Sequence, residues 1–172
     1  MIFDWDDYHE SNHRLDLLLQ LKDANPDFKC TVFAVPGLGS DEFWNSTPSW
    51  IELAVHGWKH PHPRESENWT YEQMDEYMNK VPQFFVNGFK APGWQISDGS
   101  FNWLLDNGWW VADQSYNDDR RPPSLPAYTL KANSWHGHIQ NDCGNGLEET
   151  FAQVLELVTK AESFELVSEV VS

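Results

Sequence analysis

Two short stretches of this chain carry the residue types needed for metal-assisted hydrolysis. Asp6 and Asp7 follow the apolar strand-like stretch Ile2-Phe3-Asp4-Trp5, and His56-Gly57-Trp58-Lys59-His60-Pro61 follows another, Ile51 to Val55. A carboxylate and two imidazoles suit a divalent cation, and a second carboxylate beside the ion can take a proton from water. Adjacent residues of an extended strand point to opposite faces. Asp6 and Asp7 therefore serve one site only if the strand ends in a crowded polar place. The histidines of the second stretch are flanked by Gly57 and Pro61, which places them in a loop or short turn. Each pattern also has a plainer reading, a solvated strand end for Asp-Asp and a surface turn for the histidines. His9 and His13, also four apart, and His62 read as surface residues.

The scaffold that must hold these residues shows in the hydrophobic pattern. Cys30 to Val35 is a nearly continuous apolar run closed by Pro36-Gly37, as in a strand buried on both faces. Leu15, Leu18, Leu19 and Leu21 mark a helix before it. A short helix begins at Ser40, with Asp41 and Glu42 in its first turn. Thr70 with Gln73 reads as a capping box, followed by Met74, Tyr77, Met78 and Val81 on one helical face. Phe101, Leu104 and Leu105 form a further face, stopped by Asn107-Gly108. Trp109 to Ala112, Ala127 to Ala132 and a closing segment, Phe164 to Val170, read as strands. Asn145 with Glu148 caps a last helix lined by Leu147, Phe151, Val154, Leu155 and Val158. Residues 118–126, with three prolines, form a surface loop.

Strands alternating with helices imply parallel β/α units, in an open doubly wound sheet or a closed barrel. Ligands of such folds bind at the carboxyl ends of the strands. Asp6, Asp7, His56, Lys90, Asp113 and His136 all fall at or just past strand ends, and this shared placement outweighs any single motif.

The 172 residues are expected to form one domain over 1–172, large enough to bury a core without cross-links. A formal net charge of -16 disfavours nucleic acid and anionic membrane as partners. No apolar run is long enough to span a bilayer, and no signal-peptide pattern opens the chain, so a cytoplasmic or otherwise soluble protein is expected. Cys30 lies in a core strand, and no disulfide to Cys143 is expected.

The order of these pieces resembles the polysaccharide deacetylases, the NodB-homology group also called carbohydrate esterase family four. Asp4-Trp5-Asp6-Asp7-Tyr8 resembles the family's Thr-Phe-Asp-Asp-Gly, with Tyr8 in place of glycine. His56-Gly57-Trp58-Lys59-His60-Pro61 is similar to its His-Ser/Thr-x-x-His-Pro. Lys90-Ala91-Pro92-Gly93-Trp94 resembles its Arg-x-Pro-Tyr/Phe-Gly, with lysine for arginine and the last two residues altered. Asp113 to Asp118 partly matches Asp-x-x-Asp-Trp, and Ser134-Trp135-His136 or His136-Gly137-His138 matches Leu-x-His.

This resemblance implies a distorted, incomplete (β/α) barrel of about seven parallel strands and removal of N-acetyl groups from a sugar or polysaccharide. It implies that Asp7, His56 and His60 hold a divalent metal, Zn2+ above all, with Co2+ or Ni2+ also suited to the donors. Asp6 would be the general base, with Lys90 pairing with it in place of the family's arginine. A backbone N–H near Gly93 would help hold the oxyanion. His136, or else His138, would be the general acid, oriented by Asp113. Trp58 and Trp94 would stack on the sugar. Two other readings of the same resemblance are a carbohydrate-binding relative without turnover and a hydrolase of another C–N bond.

Overall fold

The computed structural model describes residues 1–112, 119–141 and 144–172. Within them the strands are β1 (Ile2–Tyr8), β2 (Cys30–Ala34), β3 (Ile51–His56), β4 (Gly88–Lys90), β5 (Trp110–Ala112), β6 (Ala127–Tyr128) and β7 (Ser134–His138). Between and after them run α1 (Leu15–Ala24), α2 (Asp41–Ser46), α3 (Tyr71–Met78), α4 (Asp98–Asp106), α5 (Leu147–Lys160) and α6 (Val167–Val170). Among the described residues the seven strands pair in parallel in the order β6-β5-β4-β3-β2-β1-β7. The sheet curls into a half-barrel, which is the incomplete (β/α) barrel expected.

Strand periodicity divides the sheet's side chains between two environments. Phe3, Trp5, Val32, Ala34, Leu53, Val55, Phe89 and Val111 pack under the helices in the main core. The alternate positions Ile2, Phe33, Ala54 and Ala112 belong to a smaller cluster on the concave side, joined by Tyr128 and Val167. Asp4 and Asp6 share the parity of Ile2, so the concave side becomes charged toward the strand ends. All seven residues of β1 are buried.

The helices begin where local chemistry starts them. Ser40 accepts the Phe43 N–H, Thr70 and Gln73 close a reciprocal capping box, and Ser97 accepts the Ser100 N–H. Met74 and Met78 face the core from α3, and Phe101 and Leu104 from α4. Gly108 follows α4 with φ +70°, the left-handed stop expected of Asn107-Gly108.

Three element assignments differ from expectation. Residues 164–170 are not a strand: Glu165 makes one parallel bridge to Ile2, and Val167–Val170 is a helical turn. The Val167 N–H donates to Thr31 Oγ1 at 2.9 Å, and the Ser168 N–H and hydroxyl donate to the buried Glu52 carboxylate. Side chains of β2 and β3 thus take donors that a ladder would have used, and the tail plugs the bottom of the half-barrel. The strand expected over 127–132 stops at Tyr128; it lies at one edge of the sheet. Finally, the N-cap of α5 is Gly146, not Asn145. The Asn145 amide is engaged instead by His138, at 2.7 Å from its Nδ1.

Candidate metal centre and active site

Asp6 and Asp7 reach the same site through a β-bulge. Asp6 pairs with Phe33 and the next paired residue is Tyr8, with Ala34, so Asp7 has no partner across β2. Its φ of 68° lies in the left-handed region, where aspartate is better tolerated than most residues. In a regular strand Tyr8 would turn inward. The extra residue returns it to the outer core, against Phe43 and Trp44, and leaves two successive carboxylates at the concave end of β1.

His56, last residue of β3, and His60, four residues on, meet Asp7 there. Asp7 Oδ1 lies 3.6 Å from His56 Nε2 and 3.3 Å from His60 Nε2. The three donor atoms all lie within 4.8 Å of one another. His56 Nδ1 is 2.9 Å from the Lys90 carbonyl oxygen. A carbonyl only accepts, so Nδ1 carries the proton and the Nε2 lone pair faces Asp7. Burial pushes the His56 imidazole down, against the pull of Asp6 and Asp7, and so favours the neutral form a metal needs. Gln140 donates to the other Asp7 oxygen, Oδ2, at 3.0 Å.

The loop from His56 to His60 is shaped by a residue outside both motifs. Glu65 accepts the backbone N–H groups of Trp58, Lys59 and His60, each at 3.0 Å. Gly57 has φ +69°, and a Cβ there would meet Glu65 Oε2 at 2.2 Å. His60 itself takes φ 49°. The turn that sets two histidines against Asp7 thus depends on a bare backbone at 57 and an anion beneath the amides.

A second constellation adjoins the first on Asp6. Lys90 Nζ lies 2.6 Å from Asp6 Oδ1, and both side chains are buried. Asp6 Oδ2 faces three imidazoles, with Nε2 of His56, His136 and His138 each 3.8 Å away. Burial alone would push the Asp6 carboxyl up. Lys90 first, then His56, His136 and His138, hold it well below the usual carboxylate range. Asp4, fully buried, places Oδ1 2.7 Å from His136 Nδ1. Lys90 Nζ is 3.9 Å from the same Asp4 oxygen and stands 4.6 Å from the Trp94 ring centroid.

The donor set fits a divalent transition metal. Asp4, Asp6 and Asp7 put three carboxylates at one strand end, faced among the described residues by the single ammonium of Lys90. A further cation would balance that charge, and two neutral imidazole nitrogens with one carboxylate oxygen suit zinc, cobalt or nickel better than magnesium.

The remaining candidates are placed as follows. Gly93, φ +59°, sits in the turn Pro92–Trp94, where a Cβ would lie 2.1 Å from the Pro63 carbonyl oxygen. Trp94 is half-buried beside Lys90 and His136, its ring centroid 6.1 Å from that of His136. Trp58 is half-buried and stacks on Tyr77 at 5.7 Å. Asp113 and Cys143 lie outside the described residues; Cys30 is a buried free thiol. His9, read as a surface residue, is half-buried and lines a small cavity with Asp7, Val35, Leu38, His60 and Gln140.

Asp4 as partner of His136, and the supports Glu65, Gln140 and Asn145, were not anticipated. Asp4 could have been found, since residues two apart on a strand share a face. The other three carry no signal in spacing.

No family model matches the chain, and no curated protein matches it in sequence. Solved structures do share its fold. A family 4 acetyl xylan esterase from Clostridium thermocellum, in complex with a cobalt ion, superposes with TM-score 0.59 at 14% identity, over 98% of this chain and 88% of that one. A peptidoglycan N-acetylglucosamine deacetylase gives 0.59 at 16%, over 98% and 86%. A family 4 pseudoenzyme from Bacillus anthracis gives 0.61 at 12%, over 98% and 63%. The fold is therefore that of the NodB-like family 4 carbohydrate esterases.

Proposed function

We propose that the chain is a metal-dependent deacetylase that hydrolyses N-acetyl groups of a sugar or polysaccharide. What carries this reading is Asp6: a buried carboxylate outside the Asp7, His56 and His60 donor set, held ionised by Lys90 and facing the same space. A pure binding module has no use for such a group.

A divalent ion on Asp7, His56 and His60 would polarise the acetyl carbonyl and make a water more acidic. The chain's own groups do the rest. Asp6 Oδ2 accepts the proton of the attacking water while Oδ1 stays on Lys90, so the base is aimed before substrate arrives. Water oxygen bonds to the carbonyl carbon, the C–N bond breaks, and acetate and an amine result. The amine nitrogen takes its proton from His136 Nε2, with Asp4 holding Nδ1 and stabilising the imidazolium. A backbone N–H near Gly93 would donate to the oxyanion. Trp94, beside Lys90 and His136, offers a ring face for the sugar.

The wild-type protein should release acetate from N-acetylglucosamine oligomers. Asp6→Asn, which keeps the shape but cannot accept the proton, should lose this activity and retain its metal. Loss of metal together with activity would assign Asp6 to the donor set instead.

A second reading rests on Lys90. An ammonium cannot make the bidentate contact of a guanidinium, and one structure of the same fold is a pseudoenzyme. A binding protein would take up N-acetylated oligosaccharides with no acetate release under any metal loading.

A further inference from the structure

His138 has no duty in the reaction above, since one imidazole suffices to protonate the leaving amine. Yet it is held as carefully as His136. The two stand two apart on β7 and so share its concave face. Each has Nδ1 engaged at 2.7 Å, His136 by the Asp4 carboxylate and His138 by the Asn145 amide oxygen. Both partners accept, so in the neutral rings the protons sit on Nδ1 and the Nε2 lone pairs point inward. Each Nε2 lies 3.8 Å from Asp6 Oδ2, and the three donor atoms all fall within 4.8 Å of one another. Two imidazoles fixed through their outer nitrogens around one carboxylate oxygen is the arrangement by which proteins build metal sites.

We infer that Asp6, His136 and His138 form a second transition-metal site, adjoining the Asp7–His56–His60 set and filled at higher metal concentration. The sites abut through Asp6 Oδ2, 3.8 Å from His56 Nε2. The donors select zinc, cobalt or nickel over magnesium or calcium. The second site is the weaker, because its carboxylate is already shared with the Lys90 ammonium, 2.6 Å from Oδ1. Resting on the deacetylase reading, a consequence follows. An ion there occupies the base and the acid together, so excess zinc stops hydrolysis.

The test is equilibrium dialysis of the intact protein against graded free Zn2+, with bound zinc measured by elemental analysis. Wild type should bind one ion and then, at higher free zinc, a second. His138→Gln should stop at one. Lys90→Met should fill the second site at about tenfold or more lower free zinc, because a nearby positive charge is gone. Folding of each variant is followed by circular dichroism, and the lysine variant supplies the answer if His138→Gln unfolds. One ion at every zinc concentration in wild type, or two in folded His138→Gln, or unchanged second-ion affinity in Lys90→Met, overturns the site. The counts are independent of turnover. One ion with full acetate release removes this inference and leaves the deacetylase reading; two ions at high zinc, with no acetate release even at one-ion loading, do the reverse.

Discussion

Asp4 Oδ1 lies 2.7 Å from His136 Nδ1, joining β1 to the adjacent β7 across the floor of the concave site. Strand pairing sets this contact, because Asp4 is directly opposite His136 in the parallel register. A buried carboxylate on the far nitrogen fixes which nitrogen of the ring faces substrate. Asp4→Asn offers an amide in its place and should lower kcat about 10²–10⁴-fold, the usual worth of a positioned proton donor. Metal content at saturation should stay near that of wild type. A variant that loses metal in proportion to activity would show Asp4 acting on the fold alone.

Lys90 governs the ionisation of Asp6. It is the largest of the charges that hold this carboxyl down against burial. Lys90→Met should raise the Asp6 pKa, leaving more of the base protonated at a given pH. The acid limb of kcat/KM, compared at equal metal loading, should therefore move to higher pH. The sign for stability runs the same way. A depressed carboxyl stabilises the fold above the unfolded value of about 3.9, and that contribution is lost as pH falls through the folded pKa. Wild type should thus gain more stability than Lys90→Met between about pH 3 and 6, measured by urea unfolding. An acid limb that does not move would separate Lys90 from the base.

Glu65 contacts no candidate metal donor side chain, yet its carboxylate accepts the N–H groups of Trp58, Lys59 and His60. Glu65→Ala frees the loop that sets His60 against Asp7. Metal affinity should fall by roughly 10–100-fold, as for other supports one step removed from a metal. A competition titration against a chromophoric chelator reads this directly, and unchanged affinity would mean that the loop holds its shape without the anion.

Much of this architecture was legible in the residues themselves. The apolar runs at Ile51 and Cys30 became the central strands, and Thr70-x-x-Gln73 and Asn107-Gly108 marked helix ends, because each is a local signal read within a few residues. The bulge at Asp7 was not legible. An Asp-Asp pair on a strand predicts opposite faces, and only the packing of Tyr8 against Phe43 and Trp44 selects the extra residue. β4 has three residues, too short to show a period. The tail at 164–170 looked like a strand because it is apolar and β-branched. Its donors went to Glu52 and Thr31, residues far away in sequence. Asn145 was read as a helix cap, its usual work, while the structure gives its amide to His138.

Gly57→Ala tests the shape of the histidine loop through stability. The new Cβ would collide with Glu65 at 2.2 Å, in a backbone with φ +69° that disfavours side chains. A loss of about 1–3 kcal/mol is expected from strain of this kind, read from chemical denaturation. A change below about 0.5 kcal/mol would place the residue among ordinary surface sites and weaken the case for a tightly built loop.

Acetate release by the protein stripped of metal, and again after addition of one equivalent of Zn2+, bears most directly on the proposed hydrolysis. N-acetylglucosamine oligomers serve as substrate, with acetate measured enzymatically. Release should be absent from the chelated protein and restored by the single equivalent. Equal release with and without the metal, or none from either while the oligomer still binds, would contradict a metal-dependent deacetylase.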